Sequence, residues 1–227
     1  MPPLRVLLTG AAGPLGGAAA AALAGAGHTV RATDLAPPPA GAPLAFQAGP
    51  LTDPAFVARL LDGIDAVVHL APLSLFEASP GELLDTAARG THVLLKGALD
   101  AGIRLAVQAS TLAIMDAYDQ DYEVTEQWRP RPQPAPEQLA PYLAELVARE
   151  FTRDVQLEQP MSIICLRFDL RSVTAAEGGQ AIVHALDALQ RGTRQRGHRW
   201  QLYHIGGSAP GARYTSRAAR EALRLAG

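Results

Sequence analysis

The chain has 227 residues, a formal net charge of −2 at pH 7 and 48% hydrophobic residues. This near-neutral balance argues against a nucleic-acid-binding surface, and no apolar run approaches the roughly 20 residues of a membrane span. A chain of this length predicts one domain, over residues 1–227. The apolar run at its start is too short for a signal peptide, and we expect the protein in the cytoplasm. We expect no metal site, and the single cysteine, Cys165, excludes an internal disulfide and a cysteine-ligated metal.

The first predicted elements are a short strand, a glycine-rich turn and a helix. Residues 4–8 predict the strand, and an alanine-rich run up to Ala26 predicts the helix. Between them, Gly10, Gly13 and Gly16 have the spacing G-x-x-G-x-x-G. Such glycines allow a sharp bend, a close approach of ligand to backbone, and tight packing of the helix on the strand. The stretch predicts a pyrophosphate-binding turn; the alternative is a glycine-rich turn without a ligand.

The second predicted strand, residues 28–33, favours a dinucleotide as the ligand. It leads into Asp34, 18 residues after Gly16. A carboxylate at the tip of this strand binds the ribose hydroxyls of an adenosine. Leu35 follows, where an arginine would pair with a 2′-phosphate, so the pattern favours NAD over NADP.

Helices and strands alternate along the rest of the chain. The further predicted helices cover residues 53–63, 79–101, 137–156, 179–191 and 216–226. The further predicted strands cover residues 44–47, 66–71, 104–109, 162–168 and 201–205. His69 is interpreted as a packed core histidine, and the proline-rich residues 116–136 as a loop over the site. The alternation predicts an α/β fold, a doubly wound parallel Rossmann-like sheet with helices on both faces.

The segment Thr9-Gly10-Ala11-Ala12-Gly13-Pro14-Leu15-Gly16 resembles the T-G-x-x-G-x-x-G turn of the extended short-chain dehydrogenase/reductase family, the NAD-dependent epimerase/dehydratase group. The resemblance extends to about Phe168. It implies an NAD site formed by the glycine turn and by residues at the tips of the strands. The implied cofactor-binding residues are Gly10, Gly13, Pro14, Leu15, Gly16, Asp34, Leu51, Leu70 and Ala71.

The resemblance also implies two catalytic positions. Residues 109–114 look like the segment that carries the catalytic serine or threonine of the family, which places this residue at Thr111. Tyr142 falls where the family has its catalytic tyrosine, and residues 147–150 support that register. In this interpretation Thr111 binds the substrate oxygen and Tyr142 transfers the proton.

The chain departs from the family beside the tyrosine. The family has a lysine four residues after it, where this chain has Leu146. An ammonium there favours the phenolate and holds the nicotinamide ribose, whereas leucine does neither. The only lysine, Lys96, is predicted to lie about 24 Å from the cofactor end of its helix, at about 1.5 Å per residue. Further departures are Pro50, Ala87 and Asp169.

Residues 169–227 are short for an enzyme of this group and predict a reduced substrate-side portion. Two hypotheses follow: an oxidoreductase acting on a small sugar-like or carbonyl substrate, or a catalytically impaired NAD-binding sensor or partner subunit. The resemblance also implies a homodimer through a four-helix bundle of the helices around 80–101 and 137–156. Candidate contacts on these helices are Ala98, Leu143, Ala144 and Val147.

Overall fold

Seven parallel strands form one sheet in the computed structural model, which describes residues 2–37, 45–73, 79–153, 160–192, 199–206 and 213–225. Their order across the sheet is β3-β2-β1-β4-β5-β6-β7. The strands are β1 (Arg5–Thr9), β2 (Thr29–Asp34), β3 (Ala45–Ala48), β4 (Ala66–His69), β5 (Leu105–Thr111), β6 (Ser162–Phe168) and β7 (Trp200–Ile205). The strand order reverses between β1 and β4, and open sheets of this kind bind ligands at the carboxyl ends of the strands at such a point.

Helices cover both faces of the sheet. On one face α1, α6 and α7 pack, and on the other face α2, α4 and α5 pack. The helices are α1 (Pro14–Gly25), α2 (Pro54–Leu61), α3 (Pro80–Asp85), α4 (Thr91–Asp100), α5 (Pro136–Phe151), α6 (Ala175–Gln190) and α7 (Arg217–Leu223). The predicted α/β fold with helices on both faces is confirmed.

Local signals in the sequence explain where several helices begin. The Asp53 carboxylate accepts a hydrogen bond from the Ala55 amide, and Pro54 follows at the first helical position. Ser79 and Thr174 each form a capping box with the glutamate three residues later. These caps satisfy amides that the first turn of a helix leaves unpaired.

The alternation of strand side chains separates two hydrophobic cores. Leu8 joins the core under α1 and α6, whereas Leu7 joins the core under α2 and α4. In β6 the same alternation places Phe168 on the α6 face and Arg167 on the α5 face. A third, smaller cluster is formed by Leu112, Ile114, Met115, Val124 and Tyr214.

The helix predicted over 79–101 is confirmed, because residues 80–100 are helical without a break, but it is not uniformly α-helical. A π-helical turn, Thr86–Gly90, separates α3 from α4. A wide turn of this kind inserts one residue, and the Thr91 hydroxyl directly after it lies 2.9 Å from His69 Nε2. The sixth helix begins at Ala175, earlier than predicted, because Thr174 caps it.

Residues 38–43, within a proline-rich stretch, and residues 193–198, within a basic stretch, lie outside the described residues. The fifth helix ends at Phe151, five residues before the predicted end. Within the described ranges, no helix combines the length and apolar character that a membrane crossing needs.

Candidate functional site

The glycine turn after β1 has the geometry of an anion-binding turn. Gly10 has φ +74°, and a Cβ on it would lie 2.6 Å from the Leu70 carbonyl carbon. A Cβ on Gly16 would lie 2.1 Å from the Gly10 carbonyl oxygen, so α1 packs directly on the turn. A Cβ on Gly13 would have only one neighbour, at 4.0 Å. Gly10 and Gly16 are therefore required by close backbone packing, and Gly13 leaves the turn accessible.

The N-terminus of α1 faces this turn without a side-chain cap from any described residue. Gly13 is its N-cap, Pro14 is its first residue, and no acidic side chain lies in its first turn. Free amides and the positive end of the helix dipole at such a terminus favour an anion.

A cavity of about 420 Å³ lies against the glycine turn. On one side it is lined by the turn and on the other by the segment that leads from β6 into α6, with apolar side chains such as Leu70 and Phe168 between them. It brings together six of the predicted cofactor-binding residues: Gly10, Gly13, Pro14, Leu15, Gly16 and Leu70.

A second cavity beside the turn brings together the predicted residues Gly10, Asp34, Leu51 and Ala71. Its volume is about 30 Å³, close to the share of one water molecule in the liquid. The Asp34 carboxylate accepts hydrogen bonds from the Ala12 amide at 3.0 Å and the Leu35 amide at 2.7 Å. Asp34 thus supports the glycine turn as well as facing the cavity.

A buried histidine supports the strands on either side of the crevice. His69 Nδ1 lies 2.7 Å from the Thr9 hydroxyl, and its Nε2 lies 2.9 Å from the Thr91 hydroxyl. Burial lowers the pKa of His69 to about 3, so the ring is neutral at pH 7. The interpretation of His69 as a packed core residue agrees with this environment.

The structure does not gather Thr111 and Tyr142 around either cavity at the glycine turn. Thr111 ends β5, is 5% exposed, and its hydroxyl accepts a hydrogen bond from the Ala113 amide. Tyr142, on α5, packs against the small cluster around Leu112 and lines a third cavity, of about 740 Å³.

Leu146, where the family resemblance implies a lysine, borders a buried ion pair that no pattern in the sequence indicates. Glu145, next to Leu146, receives two hydrogen bonds from Arg167, at 2.8 and 2.6 Å, and both side chains are at most 5% exposed. Burial by itself lowers the pKa of Arg167, but the Glu145 carboxylate outweighs burial and the pKa rises. Tyr142 also faces Arg167 closely enough to interact with its charge. No sequence spacing links residues 145 and 167, so only the fold could show this pair.

A second group of interacting polar side chains lies in the segments that follow the carboxyl ends of β5, β6 and β7. Asp116 accepts hydrogen bonds from Arg171 at 3.0 and 3.3 Å and from the Tyr214 hydroxyl at 2.6 Å. Asp169, a residue that departs from the family pattern, also pairs with Arg171, at 3.2 Å. Burial, followed by the Asp116 carboxylate, raises the pKa of Tyr214 to about 12.

Comparisons with known proteins agree with this geometry. The sequence model of the "NAD dependent epimerase/dehydratase family" matches residues 6–170. A uronate dehydrogenase of Pseudomonas putida is 32% identical over 122 residues, which are 53% of this chain and 45% of that protein. One from Pseudomonas syringae pv. tomato is similar over 43% of its length, so the match spans less than half of these curated relatives.

Solved structures are also similar. A short-chain dehydrogenase/reductase superfamily protein from Agrobacterium tumefaciens, with bound NAD, is 32% identical and has a TM-score of 0.61. The similarity covers 72% of this chain and 48% of that one. A mutated uronate dehydrogenase has a TM-score of 0.76 at 19% identity and covers 97% of this chain and 80% of its own, which supports the fold. Within the described residues, no three His, Cys, Asp or Glu side chains are grouped as metal ligands.

Proposed function

The chain belongs to the NAD-dependent epimerase/dehydratase family, and on that premise we propose that it is an NAD-binding protein of this type. The observation that carries the proposal is the accessible Gly13 at the uncapped N-terminus of α1, with Asp34 at the tip of the neighbouring strand. The residues present fit a dinucleotide, because backbone amides face the position of a pyrophosphate and a carboxylate faces the position of a ribose.

The glycine turn and Asp34 would bind different parts of the dinucleotide. Gly10, Gly13, Pro14, Leu15 and Gly16 would hold the pyrophosphate. The Asp34 carboxylate, which accepts hydrogen bonds from the Ala12 and Leu35 amides, would bind the ribose hydroxyls.

NAD should bind more tightly than NADP. The Asp34 carboxylate repels a 2′-phosphate, and the neighbouring Leu35 offers it no positive charge. Isothermal titration calorimetry with both cofactors tests the assignment. Equal or tighter binding of NADP would contradict the role of Asp34.

The first candidate for turnover is an oxidoreductase acting on a small sugar-like or carbonyl substrate. The uronate dehydrogenases among the relatives support it, together with the register that places Thr111 and Tyr142. Bound NAD would supply hydride transfer. The Thr111 hydroxyl accepts from Ala113 and so keeps its own proton for a substrate oxygen, while Tyr142 would exchange the second proton.

The alternative is NAD binding without turnover, as in a sensor or a partner subunit. Leu146 favours it, because no ammonium lies one turn from Tyr142, and Arg167, whose charge Tyr142 interacts with, is neutralised by Glu145. Spectrophotometric detection of NADH with a panel of uronates and other small sugar acids separates the two. Turnover supports the oxidoreductase, whereas tight NAD binding without turnover supports the alternative.

We also propose a homodimer through α4 and α5, one domain over residues 1–227 with a reduced substrate side at 169–227, and a cytoplasmic location. Leu143 and Val147 are half-buried and fit an interface on α5. Ala98 and Ala144 were wrong as candidate contacts, because both are fully buried in the subunit core. A monomeric mass by light scattering at micromolar concentration would contradict the dimer.

A further inference from the structure

The cavity beside Tyr142 is a groove on the α5 face of the sheet. It is lined by α5, β6, β7, residues 126–130 and Ala218 of α7, so it also reaches the edge strand β7 from the side of α7. We call it the tryptophan groove, because Trp128 and Trp200, the two tryptophans of the chain, both line it. Its volume of about 740 Å³ is in the range of small-molecule sites.

The tryptophan groove is separate from the dinucleotide site. It shares no lining residue with either cavity at the glycine turn. At β6 the two sites are divided by the sheet itself, since Arg167 lines the groove and Phe168, the next residue, lines the cavity at the glycine turn. At β6, a ligand in the groove would therefore contact the face of the sheet opposite to the face that lines the cavity at the glycine turn.

The lining of the groove suits a ring. Besides the two indoles it includes Tyr142, so three aromatic residues contribute to one groove, while the Tyr203 side chain packs in the core on the α6 face. Trp128 and Trp200 are half-buried and keep part of their surface accessible. Such residues provide broad, rigid apolar contact together with a hydrogen-bonding group at the edge of the ring.

The charges of the groove suit an anion. Arg167 is neutralised by Glu145, and Glu126 accepts a hydrogen bond from the His204 amide. Three arginines and two glutamates line the groove, so one positive charge remains in excess, with Arg129 and Arg149 as the arginines that no lining glutamate pairs with. Arg149 Nε is buried and has no hydrogen-bond partner among the described residues, and Glu150 approaches it only to 3.5 Å. The planar guanidinium of arginine matches a carboxylate with two parallel hydrogen bonds.

From this lining we propose that the tryptophan groove binds a small ring compound that carries a carboxylate. Arg149 binds the carboxylate, and the tryptophans contact the ring. Both sugar acids and aromatic acids have this chemistry, and the groove is argued from its own residues, independently of NAD binding and of any catalytic role for Tyr142.

Intrinsic fluorescence tests the proposal directly, because both tryptophans report from the groove. D-glucuronate and benzoate are titrated into the full chain, with D-glucose and acetate as probes that lack the carboxylate or the ring. We expect a saturable change in emission with at least one of the two ring carboxylates and none with glucose or acetate. The arm that saturates identifies a sugar acid or an aromatic acid.

A matched pair of variants locates the binding. Arg149→Gln should weaken the saturating probe about tenfold, the effect of losing a charge-assisted hydrogen bond. Arg153→Gln is the control. Arg153 lies four residues after Arg149 and pairs with the same Glu150, but it does not line the groove. This substitution should leave the affinity for the probe unchanged. No saturable change with either ring carboxylate, or equal affinity in both variants, would overturn the proposal. Calorimetry with NAD on the same variants should give wild-type binding, so failure here is distinguishable from failure of the dinucleotide site.

Discussion

The dinucleotide region and the α5 region of this molecule use different kinds of chemistry. Around the glycine turn, Gly10 and Gly16 are fixed by backbone atoms within 2.1–2.6 Å of where a Cβ would be, and the binding groups are amides. Around α5, Glu145, Leu146 and Arg167 are individual side chains on a helix and a strand. Binding groups that belong to the backbone are retained as long as the fold is retained. A function that depends on two particular side chains is lost when either of them is substituted.

The largest effect should come from the α5 region. Glu145→Gln would leave the Arg167 guanidinium buried without its counter-charge, which costs about 3–5 kcal/mol. Urea denaturation should show a fall of this size in the free energy of unfolding. Glu150→Gln is the control, because its ion pairs are exposed and should contribute less than about 1 kcal/mol. Equal losses in the two variants would contradict the importance of burial.

The glycine turn should respond in a different way. Gly16→Ala places a Cβ against the Gly10 carbonyl, and we expect a loss of about 3 kcal/mol in stability. NAD affinity should fall roughly 100-fold, or about 2.8 kcal/mol, because the turn must open. A Cβ on the neighbouring Gly17 would meet nothing within 4 Å, so Gly17→Ala should be stabilising by up to about 1 kcal/mol and leave NAD binding intact. If calorimetry gave Gly16→Ala the NAD affinity of the wild type, the proposed role of the glycine turn in binding NAD would be wrong.

Each region contains one buried histidine, and the two should respond with opposite signs. His69 contacts the hydroxyls of Thr9 and Thr91, so His69→Leu leaves two buried groups unpaired and should destabilise by about 1–3 kcal/mol. His204 is fully buried, and its ring nitrogens make no hydrogen bond of normal geometry with a described residue, with only the Val124 backbone near enough to interact weakly. His204→Leu should therefore be neutral or raise the thermal unfolding temperature. Destabilisation of the same size at both positions would contradict this contrast.

The pH dependence of stability sharpens the same contrast. Burial lowers the pKa of both histidines to about 3, helped at His204 by the charge of Arg167 and only partly opposed by the Val124 backbone. Unfolded histidine titrates near 6.5, so between pH 6.5 and 3 the unfolded chain takes up protons that the native state does not. Stability is thus lost as the pH falls, at about 1.4 kcal/mol per pH unit for each histidine. Between pH 6 and 5, His204→Leu should lose about 1.4 kcal/mol less than the wild type in urea melts.

The smallest effect is expected at the position of the missing lysine. Leu146→Lys puts an ammonium on a half-buried helix face beside Arg167, where like charge and partial desolvation should destabilise by about 1 kcal/mol. We expect no gain of dehydrogenase activity on sugars or sugar acids, because Pro50, Ala87 and Asp169 also depart from the family. A clear rise in NAD reduction, followed at 340 nm, would show instead that only the lysine was lost.

Short-range patterns in the sequence were sufficient for much of the fold. The strand-turn-helix at Gly10 to Gly16, the cap at Asp53 and the capping box at Ser79 were all readable, because each depends on residues a few positions apart. The early start of α6 was readable as well, from the Thr174 and Glu177 pair, although the prediction placed it at Gly179. The π-helical turn was not, since no short-range pattern in residues 86–90 indicates it.

The sequence by itself determined the parallel α/β fold, the glycine turn with Asp34 opposite it, and the absence of a lysine beside Tyr142. Only the tertiary structure decided that Glu145 pairs with Arg167, that both tryptophans line one groove, and that this groove shares no lining residue with the cavities at the glycine turn. The physical reason is the range of the interactions. Turns and caps act over three or four residues, whereas burial and pairing across strands depend on which distant segments the strand order brings together.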